Sequence, residues 1–448
     1  MVVFWPADSN RVADMAGDVV SCPVVTGPLA CEVDVPGSKS LANRALVCAA
    51  LAGKGSVVAN VPNGDDSAAM IHGLVLLGSE IVEEEPGTFR FVTAVNLDSA
   101  DDVTVDARLA GTTSRFLTAL CALRSGTTVI NGEAALRQRP MADLHDALTG
   151  LGAHVAPLER VGHLPVEVTR LALRGGEVEI DGSVSSQFST ALLLIAPYLR
   201  GGLRLVVSGS RVSDSYLLMT VAVMRDFGAQ VGVEETNRGL EILVGEVPYR
   251  DRHYVVEPDA SSASYPLAMA AVCGGTVTVP HLSAESLQGD IAFASLLEQM
   301  GCHVEWGIDA VSVSRTLEST LRGIDVDMVD VSDLVPTVAV VALFAGETSR
   351  IRGVGFIRNK ESDRLGDLAR ELEKCGAKVA VMEDGLIIDP VPLQGARLST
   401  HHDHRLAMAF GVLGARVAGV EVEDPGVVSK SWPSYWETRS AMLATLGQ

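Results

Sequence analysis

Lys39 and Arg44 sit at the head of an otherwise apolar run, Ser38-Lys39-Ser40-Leu41-Ala42-Asn43-Arg44-Ala45-Leu46-Val47-Cys48. Two cations at the start of a helix oppose its dipole, which costs stability unless an anion binds there. They therefore read as ligands for a phosphate or a carboxylate. Arg139, in Arg137-Gln138-Arg139-Pro140, stands just ahead of a helix that Pro140 can open, where it is either an anion ligand or an exposed loop arginine. The densest group is Arg358-Asn359-Lys360-Glu361-Ser362-Asp363-Arg364, in which five of seven residues are charged. With Asp333 at another apolar helix start, it supplies two carboxylates and several cations, the parts of one acid, one base and a clamp for a dianion. Arg405 in Asp403-His404-Arg405 and Lys430 in Ser429-Lys430-Ser431 open later helices in the same way.

Two periodic series position these groups. Helix-like runs end in Gly, a small residue, any residue and an aliphatic one at Gly78, Gly152, Gly228, Gly301 and Gly376, with a truncated copy at Gly447; the steps are 74, 76, 73, 75 and 71 residues. Six almost wholly apolar segments, each introduced by polar residues, begin near Ser40, Ser114, Ser186, Ser262, Asp333 and Asp403, with steps of 74, 72, 76, 71 and 70. A period this long is one supersecondary unit, so the chain is six copies of one small fold. A helix apolar on every face is buried, whereas the Gly-terminated helices carry charge and face solvent. With short β-branched runs between them, such as Thr276-Val277-Thr278-Val279, each copy reads as an α/β unit of order β-α-β-α-β-β, three to a domain. Ser, Thr and Asp at the helix starts are expected N-caps. If the buried helices of a domain run parallel, their amino ends share one surface, and an anion site follows from the repeat itself.

At 448 residues the chain exceeds one hydrophobic core and splits into two or three domains. Its composition, 47% apolar but only 4% aromatic, calls for a core of closely packed Ala, Val, Leu and Gly. A formal charge of −21 argues against nucleic acid or an anionic membrane as partner, though not against small anions gathered by a local cluster of cations. No basic segment followed by an apolar run opens the chain and no apolar stretch is long enough for a membrane helix, so a cytoplasmic location is expected. The seven cysteines include no C-x-x-C, and Cys48, Cys121 and Cys273 lie in apolar runs as small hydrophobes. His401, His402 and His404 crowd together, but no second ligand group stands at metal spacing, and no metal is expected.

Pro36-Gly37-Ser38-Lys39-Ser40 with Asn43-Arg44, Ala110-Gly111-Thr112, Arg139-Pro140, Asp181-Gly182-Ser183-Val184-Ser185-Ser186-Gln187, Lys360-Glu361-Ser362-Asp363-Arg364 and Asp403-His404-Arg405 resemble, in order, the signatures of the 5-enolpyruvylshikimate-3-phosphate synthase family, from about residue 27 to the end. The resemblance implies an enzyme of the shikimate pathway. It would transfer the enolpyruvyl group of phosphoenolpyruvate to the 5-hydroxyl of shikimate 3-phosphate and release phosphate, without a cofactor and as a monomer. The implied architecture is two inside-out α/β barrels with the substrates in the cleft between them. Crossovers near Pro36 and Glu257 would make domain I from residues 1–36 and 257–448 and domain II from residues 37–256, with residues 1 to about 21 as an unexplained extension.

Carried over by position, shikimate 3-phosphate would meet Lys39, Ser40, Arg44, Ser185, Ser186, Gln187, Ser213, Tyr216, Asp333 and Lys360. Phosphoenolpyruvate would meet Lys39, Gly111, Arg139, Gln187, Arg364, Arg405 and Lys430. In the family's addition-elimination route Asp333 would take the hydroxyl proton, while Glu361 or Lys39 protonates the methylene carbon. Three positions depart from the family pattern: Phe356, His402 and Leu109 stand where many members carry Asn. The rival readings are the sister transferase acting on UDP-N-acetylglucosamine, which normally carries a reactive cysteine before its Arg-Pro motif, and a non-catalytic anion-binding homologue. Residues 131–140 contain no cysteine, and simple anion binding would not need Asp333 and Glu361.

Overall fold

A computed structural model describes residues 18–444. The sixth glycine copy at Gly447 and residues 1–17 lie outside the described residues. The described chain divides into two compact units, one of Gly37–Val256 and the other of residues 18–36 with 257–444.

The repeat is clearest in the middle of the first unit. Val103–Asp106 runs parallel to Thr128–Asn131, which pairs antiparallel with Val166–Arg170, itself antiparallel to Ala153–Pro157. Helix Gly111–Cys121 joins the first two strands, and helix Ala142–Gly150 leads from the second into the hairpin. The same order recurs in the sheet that begins at Gly176–Asp181 and in the one that begins at Asp325–Asp327. Two further sheets take their parallel strand from a distant part of the chain. His253–Val255 lies beside Val57–Ala59 in the first unit, and Leu29–Glu32 lies beside Gly275–Pro280 in the second. The sixth sheet has three strands among the described residues, with Arg397–Leu398 parallel to Glu421–Glu423. Val19–Ser21 pairs antiparallel with Glu421–Glu423, where the other sheets place the returning hairpin strand. The expected extension is thereby corrected at its end, because residues 19–21 are an integral strand.

The six apolar segments are the inner helices. Gly111–Cys121 packs on Ser186–Ile195, and Lys39–Ala52 touches both; Ala260–Cys273, Val335–Ala342 and His404–Gly414 pack on one another in the second unit. Small side chains allow this close approach, and the helix Ala260–Cys273 is buried along its whole length. The outer helices bury one face only. Gly366–Lys374, for example, turns Leu368, Ala369 and Leu372 inward and Arg370, Glu373 and Lys374 outward.

The periodic glycines end the outer helices. Gly78, Gly152, Gly228, Gly301 and Gly376 all have φ between 81° and 99°, where a β-carbon is strained. In four of them the next residue's N–H reaches back to the helix: Ser79 to Leu74, Ala229 to Met224, Cys302 to Leu297 and Ala377 to Leu372. This is the Schellman closure, which satisfies the last carbonyls and launches the hairpin strand.

Capping follows the expectation only in part. Ser38, Ser185, Asp259 and Asp403 cap their helices by accepting from Leu41, Gln187, Ser261 and Arg405 backbone N–H. Helices Gly111–Cys121 and Val335–Ala342 have no side-chain cap, and Ser114 instead bonds back to the Gly111 carbonyl at 3.0 Å. No helix among the described residues is long and apolar enough to cross a membrane.

Candidate active site

In the first unit the expected ligands gather around the amino ends of the three inner helices. Ser185 caps the third and Ser186 is its first residue. Gln187, the second residue of that helix, accepts from Arg115 Nη1 at 2.8 Å and reaches Thr112 Oγ1 at 3.4 Å on the second helix. Arg115 also donates to the carbonyls of Gly111 and Pro140, both at 3.1 Å, and its guanidinium lies 5.2 Å from the centre of the Phe188 ring. Arg139 stands against Gly111: a β-carbon there would lie 2.5 Å from Arg139 Nη1 and 2.7 Å from Arg115 Nη1. A side chain here would have to displace one of the two guanidinium groups that crowd this backbone position. Lys39 Nζ is 3.0 Å from Asp66, whose carboxylate is 4% exposed while the lysine is 15% exposed. The Asp66 carbonyl accepts from Thr113 Oγ1 at 3.1 Å, tying the first helix start to the second.

Arg44 is held by interior partners. Its guanidinium is turned into the interior, where Nε donates to Thr220 Oγ1 at 2.8 Å, Nη1 to the Ser40 carbonyl at 2.8 Å and Nη2 to the Tyr216 carbonyl at 3.2 Å. Phe116 and Tyr216 each present a ring to it. Burial lowers its pKa to about 10, which still leaves it charged near neutrality. Interior carbonyls and hydroxyls offset the cation at this helix start. It braces Ser40 and Tyr216, while Ser213, in the left-handed region at φ 61°, stands at the N-cap position of the helix that carries Tyr216 without a side-chain cap bond.

In the second unit one guanidinium organises the acidic groups. Arg364, 1% exposed, bonds Asp403 through Nε at 2.7 Å, Asp333 through Nη1 at 2.8 Å and Glu361 through Nη2 at 2.7 Å. Arg405 Nη2 meets the other Asp333 oxygen at 2.5 Å, and Lys430 Nζ meets Glu361 at 3.1 Å. Ser362 Oγ donates to Asp403 at 3.0 Å, so Asp403 holds Ser362 and Arg364 while capping its own helix. Lys360 Nζ sits 5.6 Å from the centre of the Phe356 ring, giving the aromatic departure from the family pattern a cation–π contact. Burial works to raise the Asp333 carboxyl, but Arg405, Arg364 and Lys360 outweigh it and hold it well below the usual carboxylate range.

The histidine group is spent elsewhere: His401 Nε2 lies 2.9 Å from Glu371, and His404 is buried beside Asp403. Cys121 is fully buried and its thiol is pushed up to about 12, so it does not supply the reactive cysteine of the sister transferase. Sequence reasoning missed Asp66 and the positioning contacts of Arg115. Arg115 left a signal, a cation one helical turn after Gly111 inside an apolar run, whereas Asp66 looks like an ordinary first-turn carboxylate.

The family model for EPSP synthase (3-phosphoshikimate 1-carboxyvinyltransferase) matches residues 25–438. The chain is 42% identical over 409 residues to a protein of Sulfurovum sp. (strain NBC37-1) named 3-phosphoshikimate 1-carboxyvinyltransferase, covering 91% of this chain and 95% of the relative. Proteins of the same name from Trichormus variabilis and Methanoculleus marisnigri are 40% and 41% identical, covering 94% and 92% of this chain and 98% and 96% of the relatives. Among solved structures, an EPSP synthase from Acinetobacter baumannii superimposes with a TM-score of 0.78 at 24% identity, covering 95% of this chain and 98% of the other, a likeness of fold. With its signature residues assembled at the inner helix starts of each unit and its relatives matched nearly end to end, the chain belongs to the EPSP synthase (3-phosphoshikimate 1-carboxyvinyltransferase) family.

Proposed function

We propose that the chain transfers the enolpyruvyl group of phosphoenolpyruvate to the 5-hydroxyl of shikimate 3-phosphate, working as a cytoplasmic monomer whose domains are residues 37–256 and residues 1–36 with 257–448. The observation that carries this reading is the pair of carboxylates, Asp333 and Glu361, bonded to the two terminal nitrogens of the Arg364 guanidinium and backed by Arg405 and Lys430. Such a set offers one base, one acid and cations for a dianionic donor.

Shikimate 3-phosphate is assigned to Lys39, Ser40, Arg44, Ser185, Ser186, Gln187, Ser213, Tyr216, Asp333 and Lys360, with Arg44 also bracing Ser40 and Tyr216. A phosphate at Ser185 and Ser186 gains the free N–H groups of a helix start. Phosphoenolpyruvate is assigned to Lys39, Arg139, Gln187, Arg364, Arg405 and Lys430, with Gly111 leaving room for Arg139. In addition, the 5-hydroxyl oxygen bonds to C2 of phosphoenolpyruvate as Asp333 takes its proton and Glu361 or Lys39 protonates C3. In elimination, the C2–phosphate bond breaks and C3 returns a proton, giving the enol ether and inorganic phosphate.

A carboxylate held by two guanidinium groups is a weak base. A donor dianion that draws Arg405 to itself removes one of those partners and raises the basicity of Asp333. Donor binding thus arms the base. Phosphate release on mixing shikimate 3-phosphate with phosphoenolpyruvate tests the reading; release from neither substrate alone and from both together is expected, and none from both would refute it.

A further inference from the structure

Asp290, in the second unit's cluster, has no cation bonded to it among the described residues. It is 3% exposed, lies in the short turn Gly289–Ile291, and touches Ser261 Oγ through Oδ2. Its other oxygen, Oδ1, is buried with no hydrogen-bond partner among the described residues. The turn is held in place by Gln288, which accepts from Ala260 N–H at 3.0 Å and donates to the Pro258 carbonyl at 2.7 Å. An ionised oxygen left buried and unbonded carries a large desolvation cost, whereas the carbonyl oxygen of a neutral acid carries much less. The Ser261 contact is satisfied with either group as donor.

We infer that Asp290 is a positioning residue of the same site, one whose buried carboxyl, when neutral, leaves Arg405 to Asp333 and to the anionic donor. The inference rests on the reaction proposed above. The groups facing Asp290 are Asp259 and Ser261 from the start of Ala260–Cys273, Asp333 from the turn Ser332–Leu334, and Arg405 from His404–Gly414. Its own turn carries no other charge, and the only charge on the helix that follows, Glu298, is exposed near the far end. Burial pushes the Asp290 carboxyl up to about 7; Asp333 and Asp259 push the same way, while Arg405 and the Ser261 bond pull down. Two carboxylates competing for one guanidinium would weaken its hold on a dianion, so ionisation of Asp290 turns into loss of donor affinity.

The test is the pH dependence of KM for phosphoenolpyruvate, with kcat followed separately. Wild type is expected to show a rise of about three- to tenfold between about pH 6 and pH 9, and Asp290→Asn, a neutral isostere, a rise of less than about twofold. Equal rises in the two proteins would overturn the inference, as would a folded Asp290→Asn that has lost turnover at pH 6. Ser261→Ala keeps the acid but strips the bond that lowers its pKa, so its rise should move to higher pH; an unmoved or lowered rise counts against the inference. If wild type releases no phosphate at all, the reaction is what fails, and Asp290 is then read from thermal unfolding. A carboxyl raised in the folded state gives stability that is full below its unfolded pKa and lost as pH rises through the folded value. The Tm advantage of Asp290→Asn should therefore grow from about pH 4 to pH 7 and level off above; a constant advantage would refute a neutral Asp290.

Discussion

Arg405 Nη2 lies 2.5 Å from Asp333 Oδ2, and the two residues are 72 apart in the chain. That separation is one repeat: both stand at the starts of successive inner helices of the second unit. The first unit makes the corresponding contact between Arg115 and Gln187, also 72 apart, at 2.8 Å. Ser264 and Thr337, 73 apart, meet in the same way one turn deeper. The sequence period therefore becomes a spatial register, in which equivalent helix starts deliver side chains to one another.

Asp333→Asn keeps the shape and one acceptor oxygen for the guanidinium groups but removes the base. Turnover should fall by about 10²- to 10⁴-fold, the usual worth of a positioned proton acceptor. KM for phosphoenolpyruvate should change far less. Steady-state phosphate release measures both, and a variant with near-wild-type kcat would strip Asp333 of its role.

Arg364→Ala would leave Asp333, Glu361 and Asp403 facing one another without their shared partner. Removing one member of a buried ionic network typically costs about 3 to 5 kcal/mol. Arg364→Lys should recover little, since a single ammonium cannot reproduce three N–H directions toward three carboxylates. Chemical denaturation checks the stability, and a loss below about 1 kcal/mol would show that the cluster relaxes by protonation or water entry.

Much of this arrangement was legible beforehand because the chain repeats. Gly78 through Gly376 mark outer-helix ends whose positive φ only glycine meets comfortably, so a local backbone demand wrote a periodic signal. The apolar inner helices follow from burial on all faces. What stayed hidden depends on side-chain direction. Arg44 and Lys39 sit five residues apart on one helix, yet Arg44 turns inward to the Tyr216 carbonyl and Lys39 pairs with Asp66, and spacing alone does not separate those fates. Val19–Ser21 joins a sheet with Glu421–Glu423, a pairing across almost the whole chain that no local pattern encodes.

Gly111→Ala puts a methyl group where Arg139 and Arg115 crowd the backbone. The far end of Arg139 is flexible enough to yield, so stability should change by less than about 1 kcal/mol, as for most substitutions outside a packed core. Its displacement should instead raise KM for phosphoenolpyruvate at least about tenfold, the factor that about 1.4 kcal/mol of lost binding gives. KM for shikimate 3-phosphate should move less, and equal rises for both substrates would mean that the whole helix start had shifted.

Asp66→Asn tests whether the carboxylate places Lys39. The bond at 3.0 Å joins two side chains that are both largely shielded from water, so losing the charge removes a directional partner and frees the ammonium. Binding of both anions should weaken by about three- to thirtyfold, or roughly 0.7 to 2 kcal/mol. Asp66→Glu should restore part of it by returning the charge. If Asp66→Asn binds as tightly as wild type, Lys39 is held by the helix backbone alone.

The acid limb of stability should carry the Asp333 signature. Its folded pKa is depressed by Arg405 and Arg364 despite burial, so the group contributes stability that is complete above its unfolded pKa and is lost as pH falls toward the folded value. The unfolded value is about 3.9, which puts the loss below about pH 4 and leaves the interval from pH 5 to 7 flat for this residue. Between the folded and unfolded values one such carboxylate changes stability by about 1.4 kcal/mol per pH unit. Denaturation of wild type and Asp333→Asn in parallel between pH 2.5 and 7 isolates that slope. The two curves should keep a constant gap above pH 5 and converge in free energy as pH drops, because the stability the variant lacks is the stability wild type loses. A gap that stays constant down to pH 2.5 would mean that the Asp333 charge contributes no pH-dependent stability in this range.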